Sequence, residues 1–228
     1  MFRFDSRIIH SVLATLASAK SPVPRERVLE LIADLKASEL SYPQNYALGT
    51  ALRILGQDQK PGDREMLNSM LAHADEQVAA GAADGLVCSH GLQGFEQGIW
   101  SLEQKSGYES LPEHQRFYSA VLMCDAEINN GGLSQYFVNS SGDHWRDALA
   151  GFEAMGFKER LELFRKALSF FGKDGPSVDR EKRQEQLSKL YQNNDAIFDS
   201  LESRYYESKE VLEVFMTKFV LAHPDSFR

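Results

Sequence analysis

The sequence predicts an all-α protein in two helical parts, and three observations carry that prediction. Apolar residues recur three and four positions apart along nearly the whole 228-residue chain, the spacing that puts them on one face of a helix. Alternation of period two dominates nowhere, so no substantial sheet is expected. With 43% apolar residues, 14 Phe, 8 Tyr and 2 Trp, the chain can fill a core, which excludes wholesale disorder.

The first stripe runs through Ile8, Ile9, Val12, Leu13 and Leu16. The next, Val28, Leu31, Ile32 and Leu35, is opened by Pro22 and Pro24. Ala47, Leu48, Ala51, Leu52 and Leu55 lead to Gly56; Met66, Leu67, Met70 and Leu71 follow Asp63 as the expected N-cap; Val78, Ala82 and Leu86 make a fifth stripe. Residues 46–52 can be laid over 77–83, an offset of 31, with small residues on the buried face of each. Each copy follows another amphipathic helix, as in a stacked hairpin array, so residues 1–106 read as HEAT-like, or else as an irregular helical domain.

A weaker helix through Phe95, Ile99 and Leu102 leads to residues 104–109, which lack an apolar period and read as a boundary. A second domain is placed at 110–228. Ser110 and Glu113 have capping-box spacing, and a long helix follows with Phe117, Val121, Cys124 and Ile128 on one face. Trp145, Ala148, Leu149, Phe152 and Met155 form a helix stopped by Gly156; Leu161, Phe164, Leu168 and Phe171 form one stopped by Gly172. Ile197, Phe198, Leu201 and Tyr205 make another, and Val211, Leu212, Phe215 and Phe219 the last, ending before Pro224.

Charge narrows the function. The net charge of −8 is spread as four negative charges up to residue 110 and four beyond it. Without a basic patch the chain repels phosphate, and direct nucleic-acid binding is not expected. No apolar run approaches the roughly 18 residues that cross a bilayer, and Arg3, Asp5 and Arg7 precede the first stripe, which argues against a signal peptide. Cys88 and Cys124 lie 36 apart without the paired spacing of zinc ligands. Both read as buried thiols of a reducing cytoplasm, and no disulfide, metal or cofactor is expected.

One segment stands out, residues 125–143, where amides, glycines and aromatics crowd a helix junction. Gly131 and Gly132 can take the positive φ that closes the long helix, Asn130 tolerates it, and Ser141 or Asp143 can cap the next helix. Gln135 and Asn139, four apart, would face one side and satisfy backbone groups at the junction. Glu127 followed by Asn130, Gly131 and Gly132, then Gln135, Tyr136, Phe137 and Asn139, resembles the signature of the DNA-mimic protein family, a helical bacterial domain. The likeness extends from about Leu111 to Phe227. It implies a mostly helical homodimer whose acidic surface imitates duplex phosphates and occupies a DNA-binding protein such as a repressor.

Two carboxylate rows are the candidate partner-binding residues. Asp195, Asp199 and Glu202 follow i, i+4, i+7, and Glu207, Glu210 and Glu213 follow i, i+3, i+6. Arg160, Arg165, Lys166, Lys182 and Arg183 are interspersed among the acidic residues of this half. The leading expectation is a non-enzymatic, cytoplasmic protein-binding module, with a regulatory role, that presents acidic helical surface to a basic or DNA-binding protein. The alternatives are an enzyme with an acid-base or metal site at Asp125, Glu127, Asp143 and His144, and an immunity-type or scaffold protein binding through its N-terminal array. Asp125 and Glu127, two apart on a helix, point about 200° apart and cannot share a ligand. The loop-like Gly151–Lys158 stretch has its Lys one place too late for a phosphate loop.

Overall fold

The computed structural model describes residues 23–37 and 40–228, and these contain helices, turns and no strand. The stripe from Ile8 to Leu16, with Pro22, lies outside the described residues. The described residues form two compact units, one from those up to Phe95 together with Val211–Arg228, the other from Glu96–Glu210. This differs from a division at 106–110. The lost apolar period at 104–109 marks the end of one helix at Ser106 and the start of a 3-10 turn at Tyr108, but periodicity carries no information on where a later helix packs.

The first unit contains α1 (Arg25–Lys36), α2 (Gln44–Gln57), α3 (Asp63–Met70), α4 (Glu76–Ser89) and the chain's last helix, α11 (Leu212–Ala222). Pro24 opens α1, and Val28, Ile32 and Leu35 are its buried stripe. Asp75 accepts from the backbone N–H groups of Gln77 and Val78 and so caps α4. Asp63 does not cap α3 as expected; it is the helix's first residue, and its carboxylate instead takes both guanidinium nitrogens of Arg25 at 2.5 and 2.6 Å.

Glycines bring α2 and α4 together. A Cβ on Gly81 would lie 2.4 Å from the Cα of Gly49, and one on Gly56 would lie 2.6 Å from the Cα of Gly85. Only glycine allows backbones to meet this closely. α4 is therefore covered on two sides: Val78, Ala82 and Leu86 join the main core with Leu48 and Leu52, while Ala79 and Ala83 pack with Val214 of α11. α1 packs on α2 and α3 on α4. The HEAT-type assignment of this part of the chain is not confirmed.

The second unit takes in α5 (Phe95–Ser106) from Glu96 onward, α6 (Glu113–Val138), α7 (Trp145–Met155), α8 (Glu159–Ser169), α9 (Arg180–Asn193) and α10 (Asp199–Glu207), with 3-10 turns at Tyr108–Ser110 and Ser140–His144. Its core is aromatic: Tyr136, Phe137, Phe152, Phe157, Phe164 and Phe198 are all fully buried. Gly156 stops α7 at φ +83°, as expected. The capping box at α6 does not form, because Pro112 occupies the cap position and Ser110 donates its hydroxyl to the Gly107 carbonyl.

Candidate functional site

The site begins with a break in α6. Gly131 has φ −161° and Gly132 has φ +80° with ψ −178°, so the helix stops and restarts. Of the two glycines only Gly132 takes the positive φ expected of both. The N–H of Leu133, freed by the break, donates to Glu202 Oε1 of α10 at 2.8 Å.

This turn folds the short second segment back on the first. Gln135 Nε2 donates to Glu127 at 2.6 Å, Asn139 Nδ2 reaches both carboxylate oxygens at 2.9 and 3.0 Å, and the Ser141 hydroxyl donates at 3.0 Å. The two amides thus face one side, as their spacing predicts, but they serve the Glu127 carboxylate rather than the backbone. Ser141 is likewise no helix cap: α7 starts after His144 without a side-chain cap. Tyr136 and Phe137 back the turn, Phe137 lying 4.7 Å from the Phe171 ring centroid and 5.8 Å from that of Phe198. Asn130 is exposed at the end of the first segment.

Partial burial alone would push the Glu127 carboxyl up, but the hydrogen bonds from Gln135, Asn139 and Ser141 outweigh it and hold the group below its ordinary value. A carboxylate depressed in the folded state contributes stability that is complete above its unfolded value, about 4.3, and is lost as pH falls through the lower folded value. The stability difference between the wild type and Glu127→Gln should therefore be constant near neutrality and shrink below about pH 4.3. Urea titrations at a series of pH values test this, and a difference unchanged down to acid unfolding would contradict the cage.

The four groups imagined as one acid-base or metal cluster have separate partners. Asp125 is buried, bonded to Arg160 Nη1, to the Tyr205 hydroxyl at 2.8 Å and to Asn129 Nδ2 at 2.8 Å. Asp143 accepts from Arg183 Nη2 at 2.6 Å, and His144 stacks on Tyr108 with centroids 3.5 Å apart. Glu127 faces its amide cage. Among the described residues no group of three or more His, Cys, Asp or Glu is placed to hold a metal ion. Cys88 and Cys124 are free thiols, both pushed up by burial.

Arg183, one of the cations interspersed among the acidic residues of this half, is completely buried. Its guanidinium donates to the carbonyls of Phe137, Asn139 and Ser177 at 2.7, 2.8 and 2.7 Å as well as to Asp143. It ties α9 to the end of the restarted α6 and fixes Asn139, one wall of the cage. Nothing in its sequence context distinguishes it from Lys182.

The carboxylate rows dissolve in part. Asp195 sits in the turn before α10, and it and Asp199 are exposed. Glu202 is half-buried and serves Leu133. Glu207, Glu210 and Glu213 do not share a helix: Glu207 ends α10, Glu213 lies in the first turn of α11, and Glu210 falls between them. Glu210 accepts the N–H groups of Lys158, Glu159 and Arg160 at 2.7, 3.1 and 3.0 Å, capping α8 from 50 residues away. Asp195, Asp199, Glu207 and Glu213 therefore remain as exposed charge.

A cavity of about 370 Å³ opens beside the cage. Glu127, Ser141 and His144 line one side, and Glu96, Trp100 and Glu103 of α5 the other.

Fold and site together define an all-helical protein organised around a carboxylate held by neutral amides at a double-glycine break. The family model described as DMP19-like protein matches residues 109–223, half of the chain, and the chain belongs to that family. Comparison with curated proteins and with solved structures returns no match.

Proposed function

We propose that this protein is a non-enzymatic binding module of the cytoplasm that offers acidic helical surface to a basic, DNA-binding protein, in the manner of a DNA mimic. Membership of the DMP19-like family is the observation that carries the reading. Charge supports it. Regrouped by compact unit, Glu96–Glu210 holds 20 acidic against 14 basic residues, a net −6, and the rest of the chain only −2. Two of the 14 cations, Arg160 and Arg183, are turned inward and paired with Asp125 and Asp143, so the basic side chains that would repel a cationic partner are fewer than composition suggests.

Affinity capture from native cell extract, with the Asp195→Lys/Asp199→Lys variant alongside, tests the reading. A basic protein should be retained at low salt, released at high salt and displaced by duplex DNA, since imitation means competition for one surface. The double variant should lose it chiefly through slower association, with thermal stability nearly unchanged. Retention in the presence of excess duplex DNA and at high salt would remove the mimicry reading.

A further inference from the structure

The cavity between α5 and the amide cage carries more than the exposed carboxylates of α10 do. The geometry points to this cavity as a receptor for an arginine side chain of the partner protein, an inference that rests on the reading of this chain as a binder of a basic protein.

Three carboxylates, Glu96, Glu103 and Glu127, face the same concave space, and among the described residues no Lys or Arg lines it. Glu127 is kept ionised by neutral donors, so its charge is held in place without being neutralised. Glu96 accepts the Tyr118 hydroxyl at 2.5 Å, which orients it without cancelling its charge. A cation is the complementary occupant on charge alone.

The walls select among cations. Trp100 is 58% exposed and Met123 46%, apolar surface that a helical protein ordinarily covers. Tyr108 and His144 form a stacked pair, ring planes 20° apart, and both line the cavity. Flat aromatic surface next to carboxylates matches a guanidinium, which is planar, weakly hydrated, stacks on rings and pairs carboxylate oxygens side by side. An ammonium is a compact and strongly hydrated point charge that uses such walls less well. Arginines that grip DNA phosphates are the side chains a DNA-binding protein has to offer.

Titration of the full chain with a blocked peptide of alternating Arg and Gly, read by anisotropy of a peptide-borne dye, tests the site. Three comparison peptides carry no dye and compete: the same sequence, its lysine version and its citrulline version, the last keeping shape while removing charge. The arginine peptide should compete best and the citrulline peptide not at all. Trp100→Ala and Glu103→Gln should each weaken binding by about fivefold or more, Trp100→Phe should retain most of it, and Asp195→Lys/Asp199→Lys should change it little. Equal competition by the lysine peptide overturns the guanidinium assignment. Binding that ignores Trp100→Ala and Glu103→Gln but falls in the Asp195→Lys/Asp199→Lys variant overturns the cavity while leaving the acidic reading in place. No binding of any basic peptide by the wild type overturns both.

Discussion

Arg183→Met should destabilise the Glu96–Glu210 unit by about 3–5 kcal/mol. The substitution keeps an unbranched chain of comparable length in the buried slot but removes every donor. The carbonyls of Phe137, Asn139 and Ser177 are left without the partner that lies 2.7 to 2.8 Å away, and Asp143 loses its cation. A buried acceptor stripped of its donor forfeits its hydration without compensation. Arg183→Lys should recover only part of the loss, because one ammonium cannot reach acceptors spread around a planar fork. Urea unfolding followed by circular dichroism measures both, and a loss below about 1 kcal/mol for Arg183→Met would mean that the network can be rehydrated.

Asp125→Ala should cost a similar amount, about 3–5 kcal/mol, for a different reason. Arg160 is nearly buried, and its Nη1 pairs with Asp125 Oδ1, as does the Tyr205 hydroxyl. Truncation leaves a charge inside the protein with no opposite charge. Asp125→Asn should fall between wild type and Asp125→Ala, since it keeps the shape and some hydrogen bonding. The double variant Asp125→Leu/Arg160→Met separates an electrostatic cost from a packing cost: removing both charges should restore much of the stability lost by removing one. If the double variant is as unstable as the sum of its parts, the pair does not act as a pair.

These two residues show where sequence reading succeeds and where it stops. The stripes at Val28 to Leu35, Ala47 to Leu55, Val78 to Leu86 and Trp145 to Met155 became helices buried along those faces, because apolar periodicity is the direct trace of burial. α9 left no such trace. Its buried residues are Leu187 and Arg183, so the position that anchors it to the core is charged, and a charged residue reads as solvent-facing in any pattern built on hydropathy. The signature residues Glu127, Gln135 and Asn139 are legible as a group, and the spacing of Gln135 and Asn139 predicts a shared face for those two amides. Their target is not, because the break at Gly131 and Gly132 redirects the second segment, and that redirection depends on the backbone angles of two residues rather than on composition. Glu202 and Glu210 were assigned to solvent for the same reason that capping at a distance is invisible: the N–H groups they serve belong to helices far away in sequence.

The packing of α11 against α4 has a consequence for the order in which the molecule is made. Val214 meets Ala79 and Ala83, contacts that close across more than a hundred residues and that cannot form until α11 has left the ribosome. Glu96–Glu210 has by then been synthesised entire and its internal contacts are more local, so it should be structured first. The first unit would wait with one flank of α4 uncovered, Ala79 and Ala83 facing water. Those small side chains offer little for misassociation while they wait, whereas large apolar residues at the same positions would present a sticky flank to every nascent chain nearby.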